Sequence, residues 1–303
     1  MAASTESFKL AVVTGASSGI GRALASALAQ QNVRVVAVAR RKELLDTLTS
    51  SSDKITAVVA DLTTKEGRNA VASTVASLKH TIDFLIHNAA GALRKSAAHK
   101  ARARCLRSTA RSCAVVGPVG TRIQKVDEDE FKRVMEINVM TPLFLTQALL
   151  PYMSRPGGRI LHISSGAAHK AMQGMTTYCV SKSALFFVYR SLKMEFEHEA
   201  EKTGQQQLFV GSVRPGVVES QIQQTMRTAD PEGFTSAPFF KDMHANMAKA
   251  SSDSATPPPK DALDTPENVA RFIWWLLDKV PAEEFAAEEW DIRDEAHHAR
   301  WTK

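Results

Sequence analysis

Tyr178 and Lys182 are the two side chains of this 303-residue chain whose types and spacing best suit proton transfer. On a helix, residues at positions i and i+4 lie on the same face, about one turn apart. A phenol exchanges protons poorly at pH 7 because its reference pKa is about 10. A nearby ammonium group favours the phenolate and lowers that pKa. We therefore expect Lys182 to make Tyr178 a better proton donor and acceptor.

A serine at the end of a predicted strand could assist this proton transfer. Ser165 follows the strand predicted at Gly158 to Ile163 and precedes Tyr178. A hydroxyl in that place can hydrogen-bond a substrate oxygen on which negative charge develops. Ser164 is the alternative, and the residues by themselves leave the choice open.

A glycine-rich turn, TGASSGIG from Thr14 to Gly21, leads from an apolar strand into a predicted helix. Its glycines permit a tight turn and a close approach to a pyrophosphate, whose charge the helix N-terminus favours. The same letters contain G-x-S-x-G, the nucleophile elbow of hydrolases. We reject that interpretation, because the 14 residues before Gly15 cannot supply the strands that build an oxyanion hole. The predicted phosphate-binding residues are Gly15, Ser17, Ser18, Gly19, Ile20 and Gly21.

The second predicted strand ends in Val38-Ala39-Arg40-Arg41, without an acidic residue. At this place an acidic residue bonds the adenosine ribose, whereas an arginine accommodates a 2′-phosphate. We therefore expect NADP(H) rather than NAD(H), with Arg40 as the phosphate ligand and Arg41 as its helper. An arginine facing solvent at a helix start is the alternative.

Short β-branched runs alternate with helical patterns along the chain, which predicts βαβ units and a doubly wound parallel sheet of the Rossmann type in a single α/β domain, residues 1–303. The predicted strands are Lys9 to Thr14, Val33 to Ala39, Ile55 to Ala60, Ile82 to His87, Gly158 to Ile163, Gln207 to Val213 and Trp290 to Ile292. The predicted helices are Ile20 to Gln30, Lys42 to Thr49, Lys65 to Lys79, Asp127 to Tyr152, Thr177 to Lys202 and Pro266 to Lys279.

Residues 219–265 interrupt this pattern with several prolines, which predicts a loop or lid over the substrate without a long regular element. Its large apolar side chains suit an apolar or aromatic carbonyl compound, and they equally suit packing of the lid against the body. These side chains are Met226, Phe234, Phe239, Phe240, Met243 and Met247.

The net charge of +6 is concentrated in one segment: residues 94–111 contain seven basic residues and no acid, so the remainder is near −1. We expect residues 94–116 to be a disordered basic insertion. An arm for nucleic acid or a membrane surface is the alternative. No aromatic residue interleaves the charges and no amphipathic face is evident, so we expect neither partner.

The three cysteines, Cys105, Cys113 and Cys179, are few and odd in number, which favours a reducing compartment. Cys105, Cys113 and His99 match no tight zinc-ligand spacing, so we expect no metal. No apolar stretch reaches the roughly 20 residues of a membrane helix, and the start MAASTES lacks the features of a secretion signal. We expect a cytoplasmic protein.

Taken in order, these motifs resemble those of the short-chain dehydrogenase/reductase family, which carries T-G-x-x-x-G-x-G after its first strand. The resemblance implies a catalytic tetrad of Asn138, Ser165, Tyr178 and Lys182. In it, Asn138 holds a water that links Lys182 to solvent, and Lys182 contacts the ribose hydroxyls. A structural, helix-bending role is the alternative for Asn138. The resemblance also implies cofactor contacts from Asp61, Leu62, Asn88, Ala89, Pro215, Gly216, Val218 and Ser220.

Two of these motifs depart from the family pattern. The family's N-N-A-G reads His87-Asn88-Ala89-Ala90, and Ser220 stands where threonine is usual. The segments GALRK and VGPVGTRIQKVDEDEF are most similar to the sepiapterin reductase and benzil reductase-like branch.

The resemblance implies an NADP(H)-dependent oxidoreductase that reduces a ketone or aldehyde, or oxidises the alcohol, with Tyr178 as general acid and base. It also implies a homodimer or homotetramer built on the helices at Asp127 to Tyr152 and Thr177 to Lys202. An NADP(H)-sensing binding protein on the same fold is the alternative, because a fold does not fix a function.

Overall fold

The computed structural model describes residues 8–89, 119–247 and 261–302. Within those ranges, seven parallel strands form one sheet in the order β3-β2-β1-β4-β5-β6-β7. The strands are β1 Leu10–Thr14, β2 Arg34–Ala39, β3 Ile55–Val59, β4 Phe84–His87, β5 Gly158–Ile163, β6 Leu208–Arg214 and β7 Glu289–Asp291. The strand order reverses between β1 and β4, and such a switch point opens a crevice at the carboxyl ends of the strands. The predicted Rossmann-type sheet is confirmed.

Helices cover both faces of the sheet. They are α1 Gly19–Gln30, α2 Lys42–Thr49, α3 Lys65–Ser77, α4 Glu128–Met135, α5 Thr141–Leu149, α6 Thr176–Thr203, α7 Gln221–Arg227, α8 Ala237–Met247, α9 Pro266–Asp278, α10 Ala282–Ala287 and α11 Glu295–Trp301. One buried core joins the sheet to α1, α2 and α9, and a second joins it to α3, α5 and α6. Side chains alternate along a strand, so Leu161 lies in the first core and its neighbour Ile160 in the second.

The helix predicted at Asp127 to Tyr152 is confirmed as one continuous run, but it is not regular. A π-helical segment, Glu136–Met140, separates α4 from α5. Such segments widen a helix by one residue per turn and occur often at functional sites. Asn138 lies in this segment.

The prediction of no long regular element in residues 219–265 was wrong, because α7 and α8 lie there. Pro238 occupies the first turn of α8, where its missing N–H is not needed for the helix. Pro231 lies between the two helices, so neither proline interrupts a helix interior. Residues 248–260 of this segment and the basic residues 94–116 lie outside the described residues.

Candidate active site

The glycine turn after β1 has the backbone shape that only glycine adopts easily. Gly15 and Gly19 have φ angles of +70° and +55°, in the left-handed region. A Cβ atom on Gly21 would collide with the side-chain nitrogen of Asn88 and would stand 2.6 Å from the carbonyl oxygen of Gly15. The turn therefore packs α1 directly against the end of β4.

The start of α1 suits an anion such as a diphosphate. The first turn of this helix contains no acidic residue, and the side chain of Ser18 makes no capping hydrogen bond. The backbone N–H groups and the helix dipole therefore remain available to a negatively charged group. Asn88 holds the wall of the site in place, because its backbone and side-chain nitrogens both bond to Thr14, at 3.0 Å each. Ala89 N donates to Thr14 Oγ1 at the same distance.

The side chain of Arg41 contacts the glycine turn. Its guanidinium donates to Ser17 Oγ at 2.8 Å and to Ser18 Oγ at 2.7 Å. Arg40 lines a smaller cavity together with Asp61 and Leu62, at the ends of β2 and β3. Arg22, in contrast, bonds the carbonyl oxygen of Leu44 and so connects α1 to α2.

Tyr178, Ser165 and Lys182 converge at the carboxyl end of β5. Tyr178 is 8% exposed, and the hydroxyl of Ser165 lies close enough to its phenol to act on the phenol pKa. Lys182 is 3% exposed, its Nζ donates to the carbonyl oxygen of Ile163 at 2.9 Å, and Nζ lies 5.9 Å from the centre of the Tyr178 ring. Ser164 is also buried there, and its Oγ has no hydrogen-bond partner among the residues that the structure describes.

The pKa of Tyr178 shifts in the opposite direction from the one that the sequence predicted. Burial raises the pKa of Tyr178, and the nearby hydroxyl of Ser165 opposes that effect. The predicted net lowering of the phenol pKa was therefore wrong, because desolvation is the largest effect on this buried group. Burial also lowers the pKa of Lys182, to about 8.

Asn138 lies next to α6. Its Nδ2 donates to Ser181 Oγ at 3.0 Å, and that hydroxyl donates to the carbonyl oxygen of Tyr178. The structure therefore connects the π-helical segment to the backbone of the tyrosine. The water-holding role of Asn138 stays a prediction.

One cavity of about 510 Å³ joins the glycine turn to the Tyr178 group. Its far wall is formed by the segment after β6 and by the lid helices α7 and α8. The predicted residues that line it are Gly15, Ser18, Gly19, Ile20, Asn88, Ser165, Tyr178, Lys182, Pro215, Gly216, Val218, Ser220, Met226, Phe239, Phe240 and Met243. The other predicted residues do not line this cavity. They are Ser17, Gly21, Arg40, Arg41, Asp61, Leu62, Ala89, Asn138, Phe234 and Met247.

Several residues of the site carried no usable signal in the sequence. Met172, Arg214 and Arg293 line the cavity, and Arg293 packs against Gly216 although β7 separates the two in the chain. Such contacts arise only when distant segments fold together. His162 did carry a signal in the sequence, because it is a polar residue near the end of a buried strand.

Two of the sequence predictions concern a membrane-spanning helix and a metal site. Within residues 8–89, 119–247 and 261–302, no helix has the length and apolar character needed to cross a membrane. The same ranges contain no group of three or more His, Cys, Asp or Glu residues arranged to hold a metal. His99, Cys105 and Cys113 lie outside the described residues.

A Rossmann-type sheet whose glycine turn shares a cavity with a tyrosine, a serine and a lysine defines an α/β oxidoreductase. A sequence model of the short chain dehydrogenases matches residues 9–231. Because this match covers more than half of the chain, the protein belongs to the short-chain dehydrogenase/reductase family.

Individual relatives agree with this assignment. Dehydrogenase/reductase SDR family member 4 of Homo sapiens is 31% identical over 192 residues, which cover 62% of this chain and 60% of that protein. The match thus spans less than two thirds of this relative's length. An uncharacterized oxidoreductase of Staphylococcus aureus is 28% identical over 225 residues, or 73% of this chain and 83% of that protein.

Solved structures show the same fold. The crystal structure of the KRED1-Pglu enzyme aligns with a TM-score of 0.71 and 27% identity, over 93% of this chain and 99% of that one. The L-sorbose reductase of Gluconobacter frateurii, solved with NADPH and L-sorbose, aligns with a TM-score of 0.68 and 23% identity, over 94% and 95% of the two chains. The latter likeness concerns the fold alone.

Proposed function

We propose that this protein is an NADP(H)-dependent carbonyl reductase, which reduces a ketone or aldehyde or oxidises the corresponding alcohol. The observation that carries the proposal is the one cavity that the glycine turn shares with Ser165 and the buried side chains of Tyr178 and Lys182. The anion-binding helix start at one end and a proton donor at the other are what a hydride transfer from a dinucleotide requires. The placement in the sepiapterin reductase and benzil reductase-like branch and a cytoplasmic location stay predictions.

The chain's own residues perform the proton transfer and the positioning. The bound cofactor supplies the hydride that reaches the carbonyl carbon. Tyr178 donates its phenolic proton to the carbonyl oxygen as that oxygen gains negative charge, and Ser165 donates a hydrogen bond to the same oxygen. The positive charge of Lys182 stabilises the tyrosinate that remains. In the oxidising direction the same groups act in reverse, with Tyr178 as the base.

The test is the decay of NADPH absorbance with a panel of aromatic ketones and diketones. Tyr178→Phe removes only the acidic hydroxyl and should lower kcat by about 10²- to 10⁴-fold, the usual contribution of a general acid. Tyr189→Phe is the matched control on the same helix and should retain wild-type kcat. Tight NADPH binding without turnover of any carbonyl, unaffected by Tyr178→Phe, would support the NADP(H)-sensing binding protein instead.

The preference for NADP(H) is proposed to depend mainly on Arg41. Its guanidinium and the hydroxyls of Ser17 and Ser18 form one polar cluster at the end of β2, where a 2′-phosphate would lie. Arg41→Ala should lower kcat/KM for NADPH at least tenfold and leave kcat/KM for NADH unchanged. Arg40→Ala is the comparison variant: a larger loss there would return the main role to Arg40, as the sequence predicted.

The substrate is proposed to be an apolar or aromatic carbonyl compound. The wall of the cavity contains Met172, Met226, Phe240 and Met243, and the 54% exposed Phe239 also lines it. Residues 219–265 would serve as the substrate lid. Enlarging the ring system of a ketone series should therefore lower KM until the cavity is filled.

A second copy of this chain is proposed to bind along α6. Val180, Phe187 and Met194 recur every seven residues on this helix and are 42%, 66% and 66% exposed, and the exposed Leu143 and Phe144 lie on the neighbouring α5. Such a stripe of large apolar side chains is characteristic of a protein interface. Sedimentation velocity should show a dimer or tetramer, and Phe187→Lys should shift it toward the monomer.

A further inference from the structure

Two buried histidines lie beneath the catalytic group. His87 ends β4, and His162 is its direct neighbour on β5. Their ring centres are 4.9 Å apart, and the side chains are 3% and 0% exposed. Ile160 packs with Leu145 of α5 and Leu192 of α6, and because side chains alternate along a strand, His162 lies on that same face of the sheet. The histidine pair therefore separates the apolar core from the site above it.

Among the described residues, three of the four ring nitrogens of this pair have no hydrogen-bond partner. His87 Nε2 bonds Thr146 Oγ1 at 2.7 Å. His87 Nδ1 and both ring nitrogens of His162 are buried and have no hydrogen-bond partner among the described residues. Buried polar atoms in folded proteins are nearly always paired with protein or with ordered water. Three such atoms in one place indicate a hydrated polar site, because buried waters typically bond several otherwise unsatisfied groups.

Lys182 is the cationic group that faces this site. Its Nζ bonds the carbonyl oxygen of Ile163, the residue after His162, and its charge lowers the pKa of His162 further than burial alone does. An ammonium group has three N–H donors, and one of them is used at Ile163. The effect of the Lys182 charge on His162 shows that the two side chains are neighbours, and an imidazole nitrogen can accept a hydrogen bond.

The groups around His162 keep it uncharged. Burial and Lys182 lower its pKa to about 3, so it is neutral near pH 7. His87 on β4 is the other titratable group that faces it, and burial lowers the pKa of His87 as well. Ser212, its neighbour on β6, and Thr146 on α5 carry no charge. Neutral His162 has one ring N–H that can donate a hydrogen bond and one unprotonated ring nitrogen that can accept another, and it carries no positive charge.

We propose that His162 is a positioning residue for Lys182: its neutral imidazole, with His87 held by Thr146, binds one buried water that accepts a hydrogen bond from Lys182 Nζ. This water stabilises the ammonium form of the lysine and fixes its position beneath Tyr178. The consequence for catalysis rests on the proposed function, whereas the consequence for the lysine itself does not.

The first test measures Lys182 directly, without turnover. NMR of ¹³C-lysine-labelled protein, with the signal assigned from Lys182→Met, gives the pKa of Lys182 in the wild type and in His162→Leu. Loss of the water should lower the lysine pKa by about one unit, because the ammonium loses an acceptor. His162→Asn, whose carboxamide can still accept and donate, should restore most of the wild-type value. Ile160→Leu, on the same face of β5, is the matched control and should leave it unchanged.

The second test is kinetic and uses the same variants with NADPH and a ketone. His162→Leu should lower kcat about tenfold at unchanged KM and move the alkaline limb of the pH profile about one unit toward lower pH. A His162→Leu protein with the wild-type lysine pKa and pH profile would overturn the inference. A wild type that reduces no carbonyl would refute the proposed function while the NMR result still decides the inference.

If His162→Leu does not fold, the pKa of Lys182 in Thr146→Val tests the buried water instead. This substitution removes the hydroxyl that holds His87 Nε2, and a lowered lysine pKa in this variant supports the buried water. An unchanged lysine pKa overturns it. If the histidine pair had only a structural role, His162→Leu would leave the pKa of Lys182 unchanged. Its stability would be unchanged or higher, because replacing buried polar groups by apolar ones is often neutral or stabilising.

Discussion

The floor and the roof of the cavity are built in different ways. The floor consists of strand ends and α6, where Tyr178 and Lys182 are almost completely buried and Lys182 bonds to β5. The roof consists of α7 and α8, which Glu219 links through ion pairs to Arg227 and His244, with side chains 18% to 48% exposed. The roof also packs through buried apolar side chains, among them Met226, Phe234 and Phe240. Under the proposed function, the floor carries the chemistry and the roof contributes to the choice of substrate.

The comparison is tested most severely by removing the charge from the floor. Lys182→Met keeps the length of the side chain but leaves no cation to stabilise the tyrosinate, so single-turnover rates with NADPH should fall about 10²- to 10⁴-fold. Lys193→Met changes a lysine on the same helix whose side chain is 23% exposed, and it should lower the rate less than twofold. A small effect of Lys182→Met would mean that the floor does not carry the chemistry.

The second prediction concerns the packing of the glycine turn. Gly21→Ala places a methyl group against Asn88 and the backbone of Gly15, which should cost about 2 to 3 kcal/mol of folding free energy, as overpacking does. NADPH affinity should fall at least tenfold in a fluorescence titration. Gly166→Ala is the control for stability, since a Cβ atom there meets nothing within 4 Å. Equal stability of the two variants in urea denaturation would contradict a rigid floor.

The same contrast explains what the sequence could predict. The strand ends, the i and i+4 spacing of Tyr178 and Lys182 and the glycine turn follow from local periodicity, and the sheet has the predicted strands. The prolines of the roof favoured a loop, but a proline at a helix start, such as Pro238, does not interrupt the helix. The direction of the Tyr178 pKa was wrong for a related reason: it depends on burial by segments far away in the chain. Contacts of Arg293 and His162 likewise exist only in the folded protein.

The third prediction is a dependence of stability on pH that originates in the floor. The pKa of His162 is about 3 in the folded protein and about 6.5 in an unfolded chain. As pH falls below about 6.5, the unfolded chain binds the proton first, so stability is lost progressively toward pH 3. Between pH 6.5 and 5 the loss from this residue should be roughly 1 to 2 kcal/mol.

Urea denaturation at several pH values measures this loss. His162→Leu should remove it and give a flatter profile than the wild type, since the carboxylates titrate equally in both proteins. His198→Leu, which removes an exposed histidine of α6, should keep the wild-type profile. Parallel profiles for the wild type and His162→Leu would show that His162 is not buried as the structure describes.

The smallest effect is expected from the roof. Glu219→Gln weakens the two hydrogen bonds from Arg227, at 2.9 and 3.1 Å, and the ion pair with His244. A partly exposed pair of this kind contributes about 1 kcal/mol or less, so kcat should stay within twofold while KM for a bulky ketone rises several-fold. Glu199→Gln, which removes the exposed pair with Arg155, is the matched control and should change neither constant. A fall in kcat without a change in KM would contradict this assignment, because it would mean that Glu219 contributes to the chemical step.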